Sequence, residues 1–187
     1  MKRLLIILIV LALGVTAGVA VYLWFPTTPI YSLRQMRDAI QTHDWRAFTT
    51  QVDVDSVLNS ASLDLAAIMQ ETMASKHISK VLTKSMGALI AIKVRTSLHE
   101  DLRDWVMAEN TGRKGILGSL LPEATSGFKL RLKTIRWWGD KGRARVAVGP
   151  DTMLELELTK QEGAWRVSRV LNVRELYEKS RTNPSTK

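Results

Sequence analysis

An uninterrupted apolar segment near the start of the chain constrains this protein more than any other feature of its sequence. Leu4 to Phe25 contains no charged residue, and it follows a short basic head, residues 1–3. As a helix, 22 residues span about 33 Å at about 1.5 Å per residue, which is enough to cross the hydrocarbon core of a bilayer. Tyr22 and Trp24 lie at its far end, where aromatic rings favour the headgroup level. The sequence therefore predicts an N-terminal transmembrane signal anchor over residues 1–26.

A cleaved signal peptide is the alternative interpretation of the same segment. Small residues that suit cleavage occur at Gly18 and Ala20, and at Val15 and Ala17. The apolar core of a signal peptide usually spans about 7–15 residues, whereas this apolar run continues past both pairs. We therefore favour an uncleaved anchor.

The basic head predicts the orientation of the anchor. Positively charged residues before an apolar segment favour the cytoplasmic side, so we expect the N-terminus inside and the chain after residue 26 outside. Within the anchor, Gly14 and Gly18 are four residues apart and share one helix face. Because two such faces can approach closely, self-association through the anchor, as a homodimer, is one interpretation. The alternative is a monomer, because glycines at this spacing are common in membrane helices by chance.

The residues that follow the anchor are typical of the start of a folded domain. Thr28 and Pro29 predict a helix N-cap with proline at the first helical position. Apolar residues then recur at three- and four-residue spacing, as on the buried face of a helix. Asp44 is a natural N-cap for a second short helix, and either Asp53 or Asp55 for a third.

This layout resembles the domain of unknown function 2939 family. The resemblance is carried by Thr28 to Val57, with its threonine-proline cap, short helix, aspartate, second short helix and valine-aspartate step. The later helix ending at Ala108 to Gly112 and the strands after it agree in order. The resemblance implies a bacterial protein with an N-terminal anchor or signal and a cystatin-like or nuclear-transport-factor-like α+β fold. It implies no catalytic residue. Together with the anchor it predicts the cytoplasmic membrane, with the domain in the periplasm.

Helical periodicity continues to residue 111, and a loop is predicted over residues 112–127, which hold four glycines and a proline. Apolar residues between Ile116 and Leu121 indicate that this segment is a lid or a short helix. Gly87 is a weak point of the helical region. The predicted helices after Val57 carry apolar stripes at Leu63, Ala67, Ile68 and Met73, at Ile78, Val81, Leu82, Leu89 and Ile92, and at Leu98, Leu102, Trp105 and Val106.

From residue 128 the period changes from helix to strand. Four short runs alternate apolar and polar residues and are joined by three short turns, which predicts a four-stranded antiparallel sheet with one buried face. We therefore expect an α+β domain over residues 27–178, with the sheet at 128–173 and a disordered tail at 179–187. The apolar members of the alternation are Phe128, Leu130, Leu132, Ala144, Val146, Val148, Leu154, Leu156, Leu158, Trp165 and Val167.

The net positive charge is concentrated in this sheet, because residues 128–187 hold fourteen basic and seven acidic side chains. Three interpretations compete: a nucleic-acid surface, a contact with anionic headgroups, and a solvated strand face with Glu155 and Glu157 paired across strands. We favour the solvated face because each charge falls at an outward position. Membrane contact is second, and we expect no nucleic acid. The candidate membrane contacts are Lys129, Arg131, Lys133, Arg143 and Arg145.

The sequence holds little that predicts catalysis, and we expect no metal and no cofactor. There is no cysteine, and His43, His77 and His99 lack the spacing of metal ligands. The cluster His99-Glu100-Asp101 does not form one site, because adjacent helical residues point in different directions. Helix capping explains Asp53 and Asp55 more simply than a shared site.

We therefore expect a non-catalytic protein whose outward domain binds or scaffolds a small-molecule or protein ligand. The alternative is a small-molecule enzyme, an isomerase or hydratase, that uses a cavity between helices and sheet. In that alternative His43 or His99 would be the polar group of the cavity.

Overall fold

The computed structural model describes residues 13–16, 27–74, 80–107, 115–120, 130–149 and 151–182. The predicted anchor lies outside this part of the chain except for residues 13–16, which are helical. Within the described ranges, no helix has both the length and the hydropathy that a membrane span requires.

The described part of the chain is an α+β structure in which the helices come first and the sheet second. Its helices are α1 (Pro29–Gln41), α2 (Trp45–Gln51), α3 (Val54–Ala74), α4 (Lys80–Met107), α5 (Ile116–Leu120) and α6 (Val173–Thr182), and its strands are β1 (Arg131–Trp138), β2 (Lys141–Ala147), β3 (Met153–Gln161) and β4 (Ala164–Val170). The predicted fold class, helices with a four-stranded antiparallel sheet, is confirmed for these residues.

Side-chain caps start the first three helices where the sequence predicts them. The Thr28 hydroxyl accepts from the Tyr31 N–H at 3.4 Å, and the Asp44 carboxylate from the Ala47 N–H at 2.9 Å. Of the two candidate caps for α3, Asp53 is the one used, and it accepts from the Ser56 N–H at 3.1 Å. These bonds satisfy amide groups that a helix end otherwise leaves without a partner.

The middle of the chain forms two long helices instead of the several shorter ones that we expected. Helix α3 runs from Val54 to Ala74, and α4 continues through Gly87. The predicted stripe of α3 was wrong at Leu63, which is 55% exposed, and at Ala67, which is also exposed. The helix instead buries the face with Leu58, Ser62, Leu65, Ala66 and Ile68. The reason is that α3 packs on both α4 and β4, and these two neighbours select its buried face.

The sheet is a simple meander, β1-β2-β3-β4, and its inner face carries the predicted apolar alternation. In β2, β3 and β4 most inward side chains are buried, and Leu154 and Val170 are half-buried, while Arg143 and Arg145 are exposed. Strand β1 departs from the expected alternation because the register shifts between Leu132 and Thr134. Lys133 is the extra residue, so β1 bends there and Leu132 remains 41% exposed.

The beginning of the domain is fastened to its last strand. The Trp165 indole N–H donates to the Thr27 carbonyl at 2.9 Å, and the Ser32 hydroxyl donates to the Trp165 carbonyl at 2.6 Å. Val52 forms a parallel bridge with Val167, and the Asp53 N–H donates to the Val167 carbonyl at 2.9 Å. The edge of β4 is therefore partly paired, which protects backbone groups that an open edge would expose.

The last helix continues to Thr182, beyond residue 178, where we expected the domain to end. It is fixed to α3 by Arg174, whose guanidinium donates to both carboxylate oxygens of Glu71 at 2.8 and 2.9 Å. This bidentate pair lowers the pKa of Glu71 below its usual range.

Replacing Asp53 with alanine should lower the free energy of unfolding by about 1 kcal/mol at neutral pH, because α3 loses its cap. Burial opposes ionisation of this carboxyl, but hydrogen bonds from Ser56 and Gln161 and the charge of Arg166 hold its pKa below the usual range. Because folding lowers this pKa, the ionised carboxylate stabilises the fold at pH values above about 3.9, the pKa of aspartate in the unfolded chain. This stabilisation is lost as the pH falls through the pKa of the folded state. Denaturant titrations at pH 7 and near pH 3 measure the effect.

Asp55→Ala is the matched control for this prediction. The Asp55 side chain is 86% exposed and forms a surface ion pair with Arg95 at 2.8 Å. Its loss should change the unfolding free energy by at most about 0.5 kcal/mol. Equal losses in the two variants would contradict the capping role of Asp53.

Candidate functional site

An apolar cavity of about 140 Å³ lies between the helices and the inner face of the sheet. All six described helices contribute side chains to its wall, as do strands β3 and β4. Met36 comes from the first helix, Ala61 from the third, Leu102 and Trp105 from the fourth, and Leu156 from the sheet. The cavity therefore exists only in the assembled fold, since no single element encloses it.

The described wall of the cavity contains no carboxylate, imidazole, amide or hydroxyl side chain. The Met36 thioether and the Trp105 indole bring the only side-chain heteroatoms among the described lining residues. Such a wall can hold hydrocarbon but cannot stabilise a charge, because a buried charge without a partner is costly. An apolar cavity of similar size, roughly 150 Å³ in an engineered protein, stays dry and takes up benzene or xenon.

The size of the cavity sets the free energy available to an occupant. Residual cavities cost about 24 cal/mol per Å³ in core-truncation experiments, so a fully enclosed volume of about 140 Å³ would cost about 3 kcal/mol, which is an upper bound for this partly open pocket. An apolar group that fills the space would recover much of this cost. The site thus favours a hydrophobic ligand on packing grounds alone.

The two histidines that we considered as catalytic groups are used elsewhere. His43 lies in the turn between α1 and α2 with a positive φ of 58°, and its Nδ1 is 3.1 Å from the Val106 carbonyl oxygen. The His99 ring packs edge-on against Trp45, with 5.9 Å between ring centroids. Neither histidine is among the described residues of the cavity wall. His77 lies outside the described residues.

The neighbouring cluster His99-Glu100-Asp101 diverges as expected, and Asp101 has a structural task. Its carboxylate accepts from the Leu117 N–H at 3.1 Å and so holds α5, which supplies Leu117 and Leu120 to the cavity wall. A Cβ at Gly115 would collide with the same carboxylate. For residues 112–127 the sequence predicted either a lid or a short helix, and residues 116–120 form a short helix. The contact of Asp101 with this helix was not apparent from the sequence.

No metal site is evident in the described ranges, which contain no group of three or more His, Asp or Glu side chains able to hold an ion.

The basic outer face of the sheet is largely as expected. Arg145 forms an ion pair with Glu155 at 2.7 Å, and Arg143 lies directly opposite Glu157. No ion pair or hydrogen bond is described for the side chains of the other two candidates in the described ranges. Arg131 and Lys133 are exposed near the start of β1 on either side of Leu132, and Lys129 lies outside the described residues. Contact between these residues and a membrane stays a prediction.

The double substitution Arg143→Gln with Arg145→Gln should leave the free energy of unfolding within about 0.5–1 kcal/mol of wild type. Exposed ion pairs contribute little, because water screens the charges and the side chains lose conformational entropy. Thermal unfolding at low and high salt provides the measurement. A large loss that salt does not reduce would show that these arginines pack as part of the fold.

Comparison with known proteins finds one family model that matches part of the chain. The model of the family described as Protein of unknown function (DUF2939) matches residues 19–98. The match confirms the predicted resemblance, and it covers the capped helices, α3 and most of α4 but none of the sheet. No curated protein and no solved structure matches the chain.

Proposed function

We propose that this protein is a membrane-anchored, non-catalytic binding protein of a bacterial envelope. In this proposal its α+β domain takes up a small hydrophobic molecule, or the acyl part of a larger one, between helices and sheet. The observation that carries the proposal is the cavity of about 140 Å³ with a wholly apolar described wall. Pockets that fix a polar ligand or substrate instead combine an apolar wall with a few placed polar groups.

The same observation disfavours the enzymatic alternative. An isomerase or hydratase needs a positioned acid, base or hydrogen-bond donor within reach of the reacting atoms. His43 and His99, the groups considered for this role, have structural contacts outside the described wall. A non-catalytic hydrophobic site accounts for the wall without such a group.

The helix-covered, bent sheet also supports a cystatin-like or nuclear-transport-factor-like layout. In such a layout a curved sheet and its covering helices enclose a cone-shaped interior. The register shift in β1 bends the sheet, and the apolar cavity lies against its inner face. Fold analogy by itself does not assign an activity, so the ligand class rests on the cavity wall.

A photoactivatable fatty acid with a diazirine on its acyl chain tests the binding site. With the full chain in vesicles, irradiation should label peptides of α3 and α4 that line the cavity. Ala61→Leu, which adds three carbon atoms inside the cavity, should abolish that labelling by occupying the space.

Ala67→Leu is the matched control, because Ala67 lies on the exposed side of the same helix. This variant should be labelled as the wild type is, with circular dichroism to verify that both variants fold. Cavity labelling that survives Ala61→Leu, or labelling confined to the N-terminal segment, would contradict the proposed site.

The localisation proposed here is the cytoplasmic membrane, with the N-terminus inside and the domain outside. The basic head and the uncharged segment from Leu4 to Phe25 support it. A reporter that is active only outside the cytoplasm, fused after Lys187, should give signal, and the band should keep its full-length mass. Signal from a cytoplasm-specific reporter would reverse the orientation, and loss of about twenty residues would indicate cleavage.

A further inference from the structure

Two of the three turns of the sheet lie at one end, which we call the hairpin end: residues 138–141 and 160–163. The strands run alternately up and down in the order β1-β2-β3-β4, so the β1–β2 and β3–β4 turns share that end. The Lys160 N–H donates to the Asp140 carbonyl at 2.8 Å and joins the two turns. The opposite end carries the β2–β3 turn with Asp151, about 23 Å away for a strand of eight residues at about 3.3 Å per residue.

The hairpin end exposes a tryptophan that the fold does not use. Trp138 is 92% exposed, far more than the other sheet tryptophans, Trp137 at 40% and Trp165 at 4%. It pairs in register with Lys141, and both side chains are exposed. A fully solvated indole beside a lysine is the composition of a membrane-interface contact, in which the ring enters the headgroup layer and the ammonium group stays near phosphate.

The chain also enters the domain at this end. Trp165, which is opposite Lys160 in the sheet register, donates its indole N–H to the Thr27 carbonyl at 2.9 Å. Phe25, the last residue of the apolar segment, is two residues before Thr27. Because Thr27 is bound at this end, the proposed anchor, which precedes it in sequence, would bring the domain to the bilayer by this end.

We propose that the hairpin end rests on the phospholipid headgroup layer, with the Trp138 indole in the interface and Lys141 and Lys160 beside the lipid phosphates. This inference rests on the proposed anchor, which would hold the hairpin end at the bilayer. The acidic turn residues Asp140 and Glu162 offset part of the lysine charge, so the indole supplies most of the contact. The domain then stands with its strands directed away from the membrane and Asp151 at its far end.

The absence of cysteine allows a direct test on the full chain. Asp140→Cys and Asp151→Cys place a single fluorescent label at either end of the sheet, and both aspartates are exposed. The labelled protein is reconstituted in phosphatidylcholine–phosphatidylglycerol vesicles that contain a lipid with a nitroxide on its headgroup. The label at position 140 should be strongly quenched, and the label at position 151 should remain close to its intensity without nitroxide.

Adding Trp138→Ala should reduce quenching at position 140 toward the value at position 151. Leu132→Ala, another exposed apolar position on the same strand, should leave it unchanged. Because Trp138 is almost fully exposed, its replacement should not change the circular dichroism spectrum.

Flotation of the vesicles separates the two proposals. Protein that fails to float with the vesicles would overturn the anchor. Protein that floats but shows equal quenching at positions 140 and 151 would overturn the hairpin-end contact alone. Self-quenching between labels at position 140 without lipid quenching would also overturn it, because the hairpin end would then face a second copy of the chain.

Discussion

The structure depends on a contact between the beginning of the domain and its last strand. Four antiparallel strands with one apolar face cannot remain in water uncovered, and the first three helices, which help to cover this face, precede it by more than 50 residues in sequence. Trp165 joins the two regions. Its indole N–H donates to the Thr27 carbonyl, and its own carbonyl accepts from the Ser32 hydroxyl. A few residues away, Val52 adds a parallel bridge to Val167. Without these contacts, neither the cover nor the edge of β4 would be complete.

The cavity lies between the helices and strands β3 and β4. Leu65, Val106 and Leu158 are almost fully buried and fill the densest parts of the core. A protein selected for stability alone would fill such a space, since each unfilled ångström cubed carries a cost. This pocket is the observation on which the proposed hydrophobic ligand rests.

Several features of the site were accessible from sequence, and others were not. The outward alternation of Arg143 and Arg145 opposite acidic residues followed from period and spacing, and the Arg145–Glu155 pair agrees with it. The cavity wall did not follow, because it combines residues from eight helices and strands, together with Val52 and Leu130 between elements, and no local pattern encodes their mutual placement. The role of Asp101 was hidden for the same reason: its partner, the Leu117 amide, is sixteen residues away in another helix.

Local chemistry in the sequence determined where elements begin and which strand residues face inward. A threonine or aspartate cap acts within three residues, and strand alternation has a fixed period of two. Both can therefore be predicted from the local sequence without knowledge of the fold. Tertiary structure decided what depends on neighbours. It merged the middle segments into two long helices, turned the α3 face with Leu65 inward instead of the one with Leu63, and bent β1 at Lys133. It also enclosed the cavity and brought Trp138 to the end where the chain enters, because burial and proximity are properties of packed pairs of elements that lie far apart in sequence.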